Sequence, residues 1–85
     1  MPVSRRILLV DDEPTILLGL THVLRRTGAH VTPCLGRDEA EEAIRTGDFD
    51  LALLDVRLSG SEAQAGLDLL TLLKERSPRT HVIVM

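Results

Sequence analysis

Ile7-Leu8-Leu9-Val10-Asp11-Asp12-Glu13-Pro14 is the stretch on which the fold turns. Four consecutive apolar residues make a strand that must be covered on both faces, the habit of parallel sheets flanked by helices rather than of antiparallel sheets with one wet face. Leu51-Ala52-Leu53-Leu54 repeats the pattern and runs directly into Asp55. Two further short runs, His30 to Pro33 and His81 to Met85, complete a set of four candidate strands.

Between these runs the apolar period changes from strand-like to helical. From Pro14 to Thr27, residues Ile16, Leu20, Val23 and Leu24 fall on one helical face. Asp12 is placed to cap that helix, Pro14 suits its first turn, and Gly28 after Arg25, Arg26 and Thr27 reads as its stop. A second helix, Asp38 to Thr46, is expected to bury Ala40, Ala43 and Ile44 while showing Glu39, Glu41 and Glu42 to water. A third, Gly66 to Arg76, carries Leu67, Leu70 and Leu73 with Leu69 and Leu72, and Ser77-Pro78 ends it. Strand, helix, strand in this rhythm means right-handed βαβ units, hence an open α/β parallel sheet.

Composition narrows the function classes. Eighty-five residues at 44% hydrophobic content allow one small domain with a modest core. The net charge is -3, and along the chain the ten Lys and Arg are spread out rather than blocked together. That distribution predicts no nucleic-acid or membrane binding, and a protein or a small ion as partner. Cys34 is the single cysteine, which excludes an internal disulfide and suits the cytoplasm. The apolar run after Arg5 and Arg6 is too short for a signal peptide, and no stretch reaches the roughly 18 apolar residues of a membrane span. His22, His30 and His81 show no shared-ligand spacing and read as structural or solvent-facing.

In open α/β sheets the functional crevice lies beyond the carboxyl ends of the strands. Here those ends are acidic: Asp11, Asp12 and Glu13 after the first strand, Asp55 after the third. A nucleotide-binding sheet would carry a glycine-rich turn at the first position, where backbone N–H groups approach a pyrophosphate. Carboxylates in that place repel free phosphate and attract a hard divalent cation. Mg²⁺ fits, because it prefers oxygen ligands, retains several waters and takes only one or two carboxylates. Taken singly, Asp12 serves equally as a helix cap, Glu13 as a first-turn acid and Asp55 as the start of an Asx turn. Jointly, acids ending two apolar strands point to a metal, since a buried unpaired carboxylate is costly to desolvate.

ILLVDDEP, LALLDVRL, GLDLLTLLKERSP and HVIVM together resemble the signature of response-regulator receiver domains of two-component signalling. The resemblance covers nearly the whole chain, with Asp55 standing 43 positions after Asp12. It implies a flavodoxin-like doubly wound sheet of order 2-1-3-4. It also implies a metal site formed by Asp11, Asp12, Asp55 and the main-chain carbonyl of Arg57, holding Mg²⁺, with Asp55 accepting a phosphoryl group from a sensor histidine kinase or phosphotransfer protein. Such a domain is not an enzyme on a separate substrate; it catalyses at most its own phosphorylation and dephosphorylation.

Two departures from the family pattern stand out. Ser59 occupies the usual proline position, and Gly66 comes eleven rather than eight positions after Asp55, which implies a three-residue insertion within Ser59–Ala65 and a longer loop. The family's switch Ser or Thr and its Lys would both lie beyond Met85, so the sequence corresponds to a receiver truncated after its fourth strand, without the fifth strand and last helices. Self-association, most simply as a dimer, is the expected consequence of an open edge. A phosphohydrolase of the haloacid-dehalogenase type would need a DxD at a strand end, which is missing here, whereas a pseudo-receiver acting only through protein contacts is the stronger alternative.

Overall fold

The computed structural model describes residues 5–55 and 61–85. Its elements run β1 (Arg6–Asp11), α1 (Pro14–Arg25), β2 (His30–Cys34), α2 (Arg37–Thr46), β3 (Leu51–Asp55), α3 (Ser61–Arg76) and β4 (His81–Val84). The strands form one parallel sheet of order β2-β1-β3-β4. All four expected strands are present within a residue or two of their expected ends.

The sheet has two apolar faces because its strands are apolar at consecutive positions. Leu8, Val10, Ala52 and Leu54 pack with Ala40 and Ile44 of α2 and Leu69 and Leu73 of α3. On the other face, Ile7, Leu9 and Val31 meet Leu17 of α1. β1 is buried from Ile7 to Asp11, whereas Leu51 and Leu53 of β3 are only half covered and β4 is mostly exposed.

Four local expectations are corrected. The buried side of α1 is Leu17 and Thr21, with Leu20 and Leu24 half-buried, while Ile16 and Val23 are 47% and 60% exposed. Leu17, Thr21 and Leu24 form an equally regular helical face, and a threonine in the middle disguised it. The N-cap position of α1 is Glu13, with no side-chain capping hydrogen bond to the helix, because the candidate cap Asp12 lies one residue earlier and exposed. α3 begins at Ser61, so most of the inserted segment extends the helix rather than the loop. Leu67, expected on its buried stripe, is 58% exposed.

A further correction concerns charge. Parallel strands require each helix to run back along the sheet, so strand starts and helix ends gather at the same end of the molecule. The basic residues spread along the sequence sit largely there, and the acids Asp11, Asp12 and Asp55 sit at the other.

Candidate functional site

Asp11 ends β1 and Asp55 ends β3, and the two are register partners on adjacent parallel strands. Neighbouring strands lie about 4.8 Å apart, and equal parity in the register sends both side chains toward the same side of the sheet. The topology therefore brings together two of the acids expected from the strand ends. His22, His30 and His81 are all exposed, on α1 and at the starts of β2 and β4, and contribute nothing here.

Asp11 is fully buried, which is unusual for a carboxylate. One oxygen, Oδ1, accepts a hydrogen bond from the backbone N–H of Glu13 at 2.9 Å, an Asx turn that fixes the side chain. The other, Oδ2, is buried without a hydrogen-bond partner. Leaving such an atom unsatisfied costs about 1–3 kcal/mol, and more where the group is charged. A divalent cation would satisfy it, and the oxygen donors are of the hard type that Mg²⁺ selects. The residues present thus fit the expected metal.

Asp55 is half-buried at the mouth of the crevice and Asp12 is exposed beside it. Among the described residues no three His, Cys, Asp or Glu side chains converge as a metal cage. The remaining expected ligand, the carbonyl of Arg57, lies outside the described residues.

The Asx turn between Asp11 and Glu13 is absent from the sequence reading, although an Asp three residues before a proline-led helix can reach the backbone N–H two residues on. Cys34, at the end of β2, is buried, and burial together with the nearby Glu39 pushes its thiol up to about 11. It is therefore protonated at neutral pH and a poor nucleophile or ligand.

With this geometry in hand, comparison with known proteins gives a consistent answer. The response regulator receiver domain profile matches residues 7–85. The transcriptional activator protein PfeR of Pseudomonas aeruginosa is 40% identical over 82 residues, which are 96% of this chain but only 26% of PfeR. A response regulator from Burkholderia pseudomallei, solved with a phosphorylated aspartic acid and a calcium ion, superposes with a TM-score of 0.83 at 25% identity, over 95% of this chain and 46% of that one. TrrA of Thermotoga maritima, solved in complex with Mg²⁺ and BeF, gives 0.78 at 29% identity, over 94% and 67%. The chain thus spans about a quarter of PfeR and at most two thirds of these two structures. Sheet order, acidic strand ends and the extent of the profile agree: the chain belongs to the response regulator receiver domain family.

Proposed function

We propose that Asp55 accepts a phosphoryl group from a phosphohistidine of a sensor kinase or phosphotransfer protein, in a Mg²⁺-dependent transfer to which Asp11 and Asp12 contribute. The observation that carries this reading is the Asp11–Asp55 register pair with one buried, unpartnered oxygen on Asp11. A carboxylate oxygen of Asp55 attacks phosphorus, the P–N bond to the donor imidazole breaks, and that nitrogen keeps the electron pair and takes up a proton. Asp11, held by the Glu13 amide, orients toward the crevice, and exposed Asp12 adds negative charge at its rim. When bound, Mg²⁺ would neutralise the carboxylates and the transferring oxygens. The product is an acyl phosphate on Asp55, and the chain modifies itself rather than turning over a separate substrate. The relatives solved with phosphoaspartate and with Mg²⁺–BeF support the reading by analogy.

Incubation with Mg²⁺ and acetyl phosphate tests it by intact mass. One hydroxylamine-sensitive phosphoryl addition is expected in the wild-type chain, and none after chelation or in Asp55→Asn. Labelling that persists in Asp55→Asn at the wild-type rate would rule it out.

Self-association belongs to the same reading. β4 pairs with β3 alone among the described strands, and Ile83, Val84 and Met85 are each about half exposed. A second copy covering this edge would bury apolar surface and satisfy free backbone groups. Sedimentation of this chain at micromolar concentration should show a dimer, and a compact, cooperatively melting monomer would exclude it.

A further inference from the structure

The end of the sheet opposite the acidic crevice is strongly basic. Arg5 and Arg6 enter β1, Arg25 and Arg26 close α1, and Arg45 lies in the last turn of α2. Lys74 and Arg76 lie in the last turn of α3, and Arg79 stands two residues before β4. All eight are exposed. Backbone hydrogen bonds hold the strand starts in one rim: His30 N–H to the Arg5 carbonyl at 2.8 Å, Asp50 N–H to Arg6 at 2.8 Å, and His81 N–H to Asp50 at 3.0 Å. The acids at this end are Asp48, Asp50 and Glu75, so eight cations meet three carboxylates, and a chain of net charge -3 carries a positive pole.

These cations are not neutralised internally. The only ion pairs within 4.0 Å among the described residues belong to Arg37, to Glu41 and Asp68, near the other end of the fold. Asp50 has Oδ2 engaged by the Arg6 backbone N–H at 2.9 Å.

The rim is also concave. A cleft of about 390 Å³ is lined by Arg76 and Arg79 together with Phe49 and Pro78. It shares Asp48, Arg76 and Ser77 with a second cleft of about 160 Å³ that reaches Arg45, and Asp50 with a third of about 300 Å³ bounded by Arg5 and His81. The three form a continuous trough from the end of α2 across to the start of β1, with arginines spaced along it.

We propose that this trough is a docking site for an acidic, extended segment of a partner protein. Arginine forks bind carboxylates bidentately and keep their charge at any working pH. Asp48 and Asp50 decide the ligand class. A nucleic-acid backbone carries a charge at every residue and would be forced against both carboxylates, and the trough offers only half-buried Phe49 and, in a separate cleft, His81 as rings, too few to stack successive bases. A peptide brings N–H donors for Asp48 and Asp50 as well as spaced carboxylates for the arginines, and Phe49 and Pro78 in the lining offer contact to an apolar side chain. Concavity favours a strand-like segment over a flat lipid surface.

Fluorescence anisotropy with a fluorescein-labelled twelve-residue peptide of alternating Glu and Ser tests the assignment on the full chain at low salt. Binding is expected, with an affinity at least tenfold weaker in Arg76→Gln/Arg79→Gln and falling steeply as salt rises. Arg5→Gln/Arg45→Gln, which alters only the outer clefts, should weaken it independently, so that one misfolded variant does not decide the result. Thr15→Glu/Leu18→Glu makes the same change in net charge on the exposed start of α1 and should leave binding intact. The proposal is overturned if that control weakens binding as much, if the trough variants bind like wild type, or if an oligothymidylate of equal charge or a phosphatidylglycerol vesicle binds more tightly than the peptide.

Discussion

Asp11 concentrates the tension in the structure. It is a fully buried acid with one oxygen tied to Glu13 N–H and the other unpartnered, next in register to a second acid. Mg²⁺ should therefore raise the melting temperature of the wild-type chain, by about 2.7 kcal/mol of stability at a hundredfold excess over Kd. Asp11→Asn keeps the side-chain volume and the Asx turn but removes the charge, and its melting temperature should be nearly indifferent to Mg²⁺. A variant that still responds as wild type would show that the ion binds elsewhere. Cys34 makes a second residue-scale prediction. Burial and Glu39 raise its thiol from 9.0 to about 11, so the folded state holds its proton more tightly than the unfolded one. The resulting stabilisation is complete below pH 9 and is lost as pH rises toward 11. In pH-jump denaturant melts, Cys34→Ala should flatten that alkaline decline, and an unchanged slope would contradict it.

At the scale of elements, the strands were legible because an unbroken apolar run ending in an acid has few other uses. The helices were legible in number but not in facing. α1 offers two overlapping apolar faces, and the sheet takes the one containing Thr21, whose hydroxyl is buried without a hydrogen-bond partner. No count of apolar residues selects a face with a polar member, which is why Ile16 and Val23 were misplaced. The start of α3 was missed for a different reason: Ser59-Gly60-Ser61 reads as loop, and only packing of the later turns carries the helix back to Ser61. Two glycines separate local preference from need. Gly28 follows α1 with φ +93°, where a side chain is strained, so Gly28→Ala should cost about 1 kcal/mol. Gly19 lies mid-helix with nothing within 4 Å of an added Cβ, so Gly19→Ala should stabilise by a similar amount. Chemical denaturation of both variants checks the opposite signs, and two shifts in the same direction would contradict the backbone assignments.

For the whole molecule, the parallel topology does what the one-dimensional sequence conceals. It collects Asp11 and Asp55 from positions 44 apart into one crevice. The same antiparallel return of the helices collects bases at the opposite end, where the sequence shows only scattered arginines. The candidate site was legible because acids at strand ends have a known destination in open α/β sheets. The basic trough was not, because no residue in it is unusual alone and its geometry exists only after three crossovers are made. The account stands on Asp55 as the phosphoryl acceptor, and borohydride trapping tests that most directly. After reaction with acetyl phosphate and Mg²⁺, reduction converts an aspartyl phosphate to homoserine, which peptide sequencing by mass spectrometry locates. The account predicts homoserine at position 55 and nowhere else, and none when Mg²⁺ is chelated; homoserine at another acid, or its absence at position 55 in a folded, Mg²⁺-loaded chain, would contradict it.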